Sequence, residues 1–242
     1  MPTKIRQTIN RHFFRPAWYS ILANPYFIVR RGLLKKITDF ANQDFSNKKI
    51  LDVGCGVKPY EQLFNTPSYT GIDINNGSHI NRDKLPDKFY NGIEIPFPDN
   101  CFDAIICTEV MEHVAEPEKL LNEIRRVLKT DGEIYLSVPF VWNEHEAPFD
   151  FQRFSRYGLQ QLFAKSHLSI IKLEETSGVF KVCGQLISAF IFERLFPRYR
   201  PLKLLAAIML CFPVQAIFII LDLIFKNSWL TLNYCVVAKK NI

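Results

Sequence analysis

Leu51-Asp52-Val53-Gly54-Cys55-Gly56-Val57-Lys58-Pro59-Tyr60 decides the fold of this 242-residue chain. A short, continuous apolar run from Lys48 to Val53 ends in glycines, as expected of a strand buried on both faces of a parallel sheet. Glycine lets the backbone approach a ligand closely. A nicotinamide-dinucleotide fingerprint needs a third glycine at position 59, which Pro59 occupies, so dinucleotide binding is disfavoured. An aspartate just before the glycines suits a cationic amine or sulfonium better than a phosphate.

Outward from this turn the pattern alternates. Strands are predicted near 49–54, 68–73, 91–95, 103–108, 133–138 and 169–176, with helices near 59–65, 117–129 and 155–165. Strands separated by helices imply right-handed crossovers and a Rossmann-like, doubly wound α/β sheet with its ligands at the carboxyl ends of the strands. Residues 1–46 read as a basic, amphipathic helical lead-in, with Phe27, Ile28, Leu33, Leu34, Ile37 and Phe40 at helical spacing. Residues 179–228 read as an apolar helical hairpin inserted before a last strand at 231–238. The central domain is therefore 47–178 plus 229–242. Asp73 ends the second strand, where a carboxylate can accept hydrogen bonds from both hydroxyls of a ribose.

Taken in order, the DVGCG turn, Asp73, the Ile95-Pro96-Phe97-Pro98-Asp99…Phe102-Asp103 segment and Glu109-Val110-Met111-Glu112-His113-Val114 resemble the class I S-adenosylmethionine-dependent methyltransferases, over residues 48–140. The resemblance implies that Asp52, Gly54 and Gly56 surround the methionine end of the cofactor, that Asp73 takes the ribose, and that the segment before Pro96 lies near the adenine. Cys55, Ile74, Asn91 and Glu109 complete the expected cofactor-binding set. Two residues depart from the family pattern. Lys58 replaces the third glycine of the turn, and Asn91 stands where an aspartate often faces the adenine amine, which its amide oxygen can still accept. The Asn24-Pro25-Tyr26-Phe27…Arg30-Arg31-Gly32 lead-in and the aromatic, acidic segment after residue 139 are also similar to methyltransferases of bacterial cell-surface polysaccharide loci.

The acceptor is expected at Pro139-Phe140-Val141-Trp142-Asn143-Glu144-His145-Glu146-Ala147-Pro148-Phe149-Asp150-Phe151-Gln152-Arg153-Phe154, which follows the fifth strand. His145 is the candidate general base, because imidazole takes a hydroxyl proton near neutral pH. His113, Trp142, Asp150 and Arg153 are the other acceptor-side candidates. The ordinary alternative is that His145 and Arg153 brace the loop through its carboxylates, while Glu112 and His113 only start a helix and pack a loop. Trp142, Phe149, Phe151, Phe154 and Tyr157 would make an aromatic wall for a sugar or lipid headgroup, or simply pack on the domain. The six cysteines contain no CxxC pair, which reads as reduced thiols and no zinc site.

Charge is segregated. Residues 1–50 carry 10 basic and 2 acidic side chains, 51–150 carry 8 and 18, and 151–242 carry 12 and 4. Basic ends beside apolar stretches suit an anionic bilayer or a phosphate-bearing substrate more than nucleic acid, which is not expected as a partner. With no secretory signal in its first residues, the catalytic part is expected in the cytoplasm, at the inner face of the membrane. Leu204 to Phe225 has the length of a membrane span, but Pro213, Gln215 and Asp222 interrupt it, and a returning strand forbids a single crossing. The hairpin is expected to lie in the cytoplasmic leaflet, with Arg194, Arg198, Arg200 and Lys203 against lipid phosphates; a packed lid, a homodimer interface and true spanning are the alternatives. The expected activity is O-methylation of a cell-surface glycan or its lipid-linked precursor. A quinone or small-lipid methyltransferase and a non-catalytic, membrane-associated scaffold of the same fold are the competing readings.

Overall fold

The computed structural model describes residues 13–75, 86–195 and 200–241, with the side chains of Arg200 and Pro201 left out. The first part of the lead-in, Arg198 and the Arg200 side chain therefore fall outside the described residues. Seven strands form one sheet in the order β3-β2-β1-β4-β5-β7-β6. They are β1 Lys49–Val53, β2 Ser68–Ile74, β3 Lys88–Tyr90, β4 Phe102–Thr108, β5 Leu128–Pro139, β6 Leu168–Glu175 and β7 Asn233–Lys240. β1 pairs in parallel with β2 on one side and β4 on the other, so Asp52 lies between Gly71 and Ile106. Strand order reverses about β1, and its carboxyl end opens on the crevice where this kind of sheet takes its ligands. Ile50, Leu51, Val53, Ile105, Ile106 and Leu136 are fully enclosed, as expected of strands covered on both faces.

The sheet is mixed. Asn241 donates to the His167 carbonyl at one end of β6 and Thr176 donates to the Asn233 carbonyl at the other, which sets β7 antiparallel to β6. The last strand thus rejoins the sheet as expected, inserted between β5 and β6. Two predicted elements differ. Residues 59–65 form no α-helix; a single 3-10 turn, Glu61–Leu63, occupies that link. Pro59 and Pro67 leave too few residues between them to repay helix nucleation. The strand expected at 91–95 falls instead at Lys88–Tyr90, because Asn91 closes a turn in which its Oδ1 accepts from the amides of Ile93 (3.0 Å) and Glu94 (2.8 Å).

The main α-helices of the described residues are α1 Phe27–Ala41, α2 Pro117–Val127, α3 Arg156–Lys165, α4 Val179–Phe190, α5 Arg200–Ala206 and α6 Phe212–Ile224, with a π-helical turn, Ala207–Cys211, joining α5 to α6. From α2, Arg126 reaches Glu123, Asp99 and the carbonyls of Ile95 and Phe97, each at 2.7–2.8 Å. Asp103 accepts from the Lys49 amide (2.8 Å) and the Lys129 ammonium (2.7 Å) at the amino end of β4. The acidic residues of the PFPD…FD segment therefore fasten strands and loops at the edge of the sheet away from the ligand crevice.

The chain divides into two compact units, residues 37–174 with 234–242, which hold the sheet, and residues up to Lys36 with 175–233. The second groups the lead-in with the hairpin. There α4 and α6 pack side by side, close enough that a Cβ added at Gly184 would stand 2.5 Å from the Phe218 Cβ. Two fully buried glutamines tie this pair to the start of α1. Gln185 accepts from the Val29 amide (3.0 Å) and donates to the Pro25 carbonyl (2.9 Å), while Gln215 accepts from the Ile28 amide (3.4 Å) and donates to the Asn24 carbonyl (3.0 Å). They satisfy helix-start amides that the helix cannot pair itself. Gln185→Leu keeps the volume and strands both backbone groups, so denaturant titration should show about 1–3 kcal/mol lost per orphaned group. A loss under about 0.5 kcal/mol would mean that the anchor is dispensable.

Candidate functional site

Four parallel strands deliver the site to one edge of the sheet. After β1, the amides of Gly54 and Cys55 both donate to the Ile72 carbonyl, at 2.9 and 3.0 Å, and the Gly56 amide donates to Asp73 Oδ2 at 2.9 Å. The turn is left-handed at Gly54 (φ 70°), Gly56 (φ 52°) and Lys58 (φ 49°). At Gly54 a Cβ would meet a Val110 methyl at 2.3 Å, so nothing larger than glycine fits. At Gly56 a Cβ would meet nothing within 4 Å, which leaves the backbone open to a ligand. Lys58 is turned away from that opening. Its ammonium donates to Asp87 Oδ2 at 2.6 Å, and the same oxygen accepts from the Gly71 amide at 2.7 Å.

The carboxylates here differ in environment. Asp73, at the carboxyl end of β2, also accepts from the Ile74 amide at 2.7 Å. Asp52 is only 2% exposed and accepts from the Tyr69 hydroxyl at 2.7 Å. Burial pushes its pKa up to about 7, outweighing that hydrogen bond and the field of Lys58. Burial likewise raises the Cys55 and Cys107 thiols, as expected of packing groups rather than nucleophiles. Asn91 spends its amide oxygen on its own turn and donates to Glu94 at 3.3 Å.

The loops after β4 and β5 meet. Glu109 (φ 54°) follows β4 and accepts from Ser137 Oγ at 2.7 Å. One 3-10 turn later Glu112 is fully enclosed, and neither of its oxygens has a hydrogen-bond partner. Burial, followed by the neighbouring Glu109, raises its pKa well above the carboxylate range. His113 places Nδ1 2.7 Å from the Phe149 carbonyl, and its ring stands edge-on to His145 with centroids 4.8 Å apart. His145 Nδ1 faces the Asn143 carbonyl (3.2 Å) and Asp150 Oδ2 (3.3 Å). Asp150 is gripped by both arms of Arg153, at 2.5 and 2.7 Å, which holds its carboxyl far below the usual range. Burial, and next to it His113, lower the His145 pKa, keeping the ring neutral near pH 7.

His145, His113, Asp150 and Arg153 thus form one cluster. Trp142 is half-buried on the same loop. The aromatics do not make a single wall, because Phe154 sits in the core and Tyr157 is 77% exposed. The sequence makes Glu112 a helix-start carboxylate that could also touch the methionine end or the acceptor; its burial without a hydrogen-bond partner has no local signal in an EH pair.

The site suits a nucleoside with a cationic end: Asp73 for hydroxyl groups, an open Gly56 backbone, and a carboxylate at Asp52. A family model described as a methyltransferase domain matches residues 28–176, more than half of the chain. The chain belongs to that methyltransferase family. The chain is 40% identical over 97 residues to sterol 24-C-methyltransferase ERG6B of Gibberella zeae, covering 35% of this chain and 26% of that one. It is 32% identical over 124 residues to demethylmenaquinone methyltransferase of Symbiobacterium thermophilum, covering 45% and 46%. It spans less than half the length of these curated relatives. Among solved structures, the [4+2]-cyclase SpnF has a TM-score of 0.57 at 17% identity, covering 98% of this chain and 96% of that one, a likeness of fold.

Because the Asp52 pKa is raised on folding, from 3.8 to about 7, its contribution to stability is full at low pH and is lost as pH rises through 7. Asp52→Asn removes that dependence. Between pH 5 and pH 8 the cofactor-free wild type should lose stability relative to the variant, by up to about 2.7 kcal/mol at 1.36 kcal/mol per pKa unit over the two units from pH 5 to 7. Parallel melting curves across that range would reject a raised Asp52 pKa.

Proposed function

We propose that the protein is a methyltransferase that works at the inner face of the cytoplasmic membrane and O-methylates a hydroxyl of a cell-surface glycan or its lipid-linked precursor. The observation that carries the membrane part is the inverted polarity of the hairpin unit. The residues that break its hydropathy point inward, Gln215 to the start of α1 and Asp222 to Lys181 at 3.0 Å. Its exposed surface is apolar, with Leu204, Leu205, Met209, Ile220, Leu223 and Ile224 all 55–64% exposed and Trp229 at 83%. Leu202–Ile224 is long and apolar enough to cross a bilayer, and its most apolar window is only 22% buried. Arg194, Lys203 and Lys226 supply cations beside this surface, as interfacial helices do.

S-adenosylmethionine supplies an electrophilic methyl group. In this reading Asp52, Gly54, Cys55 and Gly56 surround its methionine end, Asp73 and Ile74 hold the ribose, Asn91 borders the adenine, and Glu109 closes the cleft beside Ser137. His113, Trp142, His145, Asp150 and Arg153 face the acceptor. The Asn143 carbonyl and Asp150 are both acceptors, so His145 carries its proton on Nδ1 and offers the Nε2 lone pair to a hydroxyl. Arg153 fixes Asp150, and Asp150 fixes the ring. The carboxylates of this loop favour a polar acceptor.

The sterol and menaquinone relatives favour a second reading, an apolar lipid or quinone acceptor. Labelled cofactor offered to a lipid-linked glycan fraction and to a quinone fraction separates the two by the mass of the product. Label in the glycan fraction is expected, and label confined to quinone would replace the first reading with the second. In vesicles containing anionic lipid, the full chain should float with the lipid, whereas protein that stays at the bottom of the gradient removes the membrane part. Calorimetry should show Asp73→Ala weakening S-adenosylmethionine binding by about 1.5–3 kcal/mol, roughly 10- to 150-fold. Wild-type protein that binds no cofactor would leave the scaffold reading.

A further inference from the structure

We propose that Glu112, His113 and His145 form a binding site for one divalent transition-metal ion, with coordination positions left open for an oxygen of the acceptor. One carboxylate oxygen of Glu112 and one ring nitrogen from each histidine lie within 4.8 Å of one another. Only what fills the open positions rests on the methyltransferase reading; the ion site itself stands on the geometry of these side chains.

The first observation is the state of the two rings. The Phe149 carbonyl can only accept, so the 2.7 Å contact puts an N–H of His113 at Nδ1 and leaves Nε2 as the atom that could take an ion. Nε2 stands 3.6 Å from Glu112 Oε1 and 3.9 Å from Glu146 Oε2. His145 has the same arrangement, with Nδ1 against the Asn143 carbonyl and Asp150. Histidines that ligate metals characteristically donate their other N–H to a carbonyl or carboxylate, which fixes the tautomer and turns the ring. Both rings have that outer partner here, and Arg153 fixes one of those partners in turn.

The second observation is independent. Glu112 is 0% exposed, and both of its oxygens are without a hydrogen-bond partner. A buried carboxylate is ordinarily paired, hydrogen-bonded or bound to a metal. Facing it is His113 Nε2, at 3.6 Å too far for a hydrogen bond and close to the separation of two ligands on one ion. An ion about 2.0–2.2 Å from each ligand atom brings them to roughly 3–4 Å of one another. The 3.6 Å pair already meets this, and His145, on the surface loop, has about 1 Å to travel. Two imidazoles and one carboxylate with open positions are a donor set for zinc or for iron, manganese or cobalt in the divalent state. Glu109 and Glu146 add negative charge nearby. An acceptor hydroxyl bound in an open position would be oriented and made more acidic, so that with an ion bound the Nε2 of His145 would be its ligand and the ion would take over the part of the His145 base.

The test uses full-length protein stripped with a chelator and titrated with Mn²⁺, a probe less prone than zinc to capture by the six cysteines. Calorimetry and the loss of the free-ion paramagnetic signal should report one Mn²⁺ per chain. His113→Ala and His145→Ala should each weaken binding about 10-fold or more, at least what loss of an outer-shell partner costs. Because Glu112→Gln risks the fold of a buried position, the two histidine variants carry the test, with their circular dichroism and S-adenosylmethionine affinity measured alongside. Absence of one-to-one binding, or binding unchanged in both variants, overturns the site. Failure of the wild type to bind S-adenosylmethionine while Mn²⁺ still binds would instead overturn the methyl-transfer reading and leave the ion site standing.

Discussion

Val110 stands so close to Gly54 that a methyl group cannot be placed between them. Position 54 must therefore be glycine, and its left-handed turn puts the amides of Gly54 and Cys55 on one carbonyl of β2 and that of Gly56 on the Asp73 side chain. One steric limit thus bears on three things. It admits only glycine where the turn leaves the sheet, it goes with a turn strapped to the buried Asp73, and it ties that turn to the start of the loop that carries Glu109, Glu112 and His113. A larger side chain at 54 would push against the segment that follows β4 and so disturb the cofactor and acceptor sides together.

The second unit obeys the opposite solvent rule. In a water-soluble helix pair polar residues face out and apolar ones in. Here Gln185, Ser188, Gln215 and Asp222 are enclosed, and the outward surface is leucine, isoleucine, methionine and phenylalanine. Each enclosed polar group has a defined partner, down to the Ser188 hydroxyl on the Gly184 carbonyl at 2.8 Å. Interior polar groups then hold the unit in one arrangement, so it does not depend on water to drive its outer face inward.

What the sequence disclosed follows the same physics. β1, β2, β4, α3 and the hairpin were legible because long apolar runs and helical spacing are properties of contiguous residues. The missing helix at 59–65 was misread because apolar periodicity over seven residues does not reveal that two prolines bound it. Asn91 turned a predicted strand into a turn through a side-chain-to-backbone bond that periodicity does not register. Of the site, the DVGCG turn and Asp73 were plain. The meeting of His113 with His145 was not, because it joins loops after two different strands and depends on the Phe149 carbonyl and Asp150 holding the rings. Glu112 was the least visible, since its significance lies in what fails to surround it.

That division also says where specificity resides. A glycine turn strapped to an aspartate does not by itself name a reaction, and the likeness of fold to a [4+2]-cyclase shows that the same frame serves chemistry other than methyl transfer. Nothing in β1, β2 or the glycine turn distinguishes those outcomes. The loops after β4 and β5 do, because they alone bring two histidines held at Nδ1, a buried carboxylate and a fixed Asp150–Arg153 pair to the crevice. Exchanging 140–155 alone would leave the glycine turn, Asp73 and Glu109 in place and alter only the side that His145, Asp150 and Arg153 line. The residues that name the reaction are therefore those whose positions depend on two loops at once.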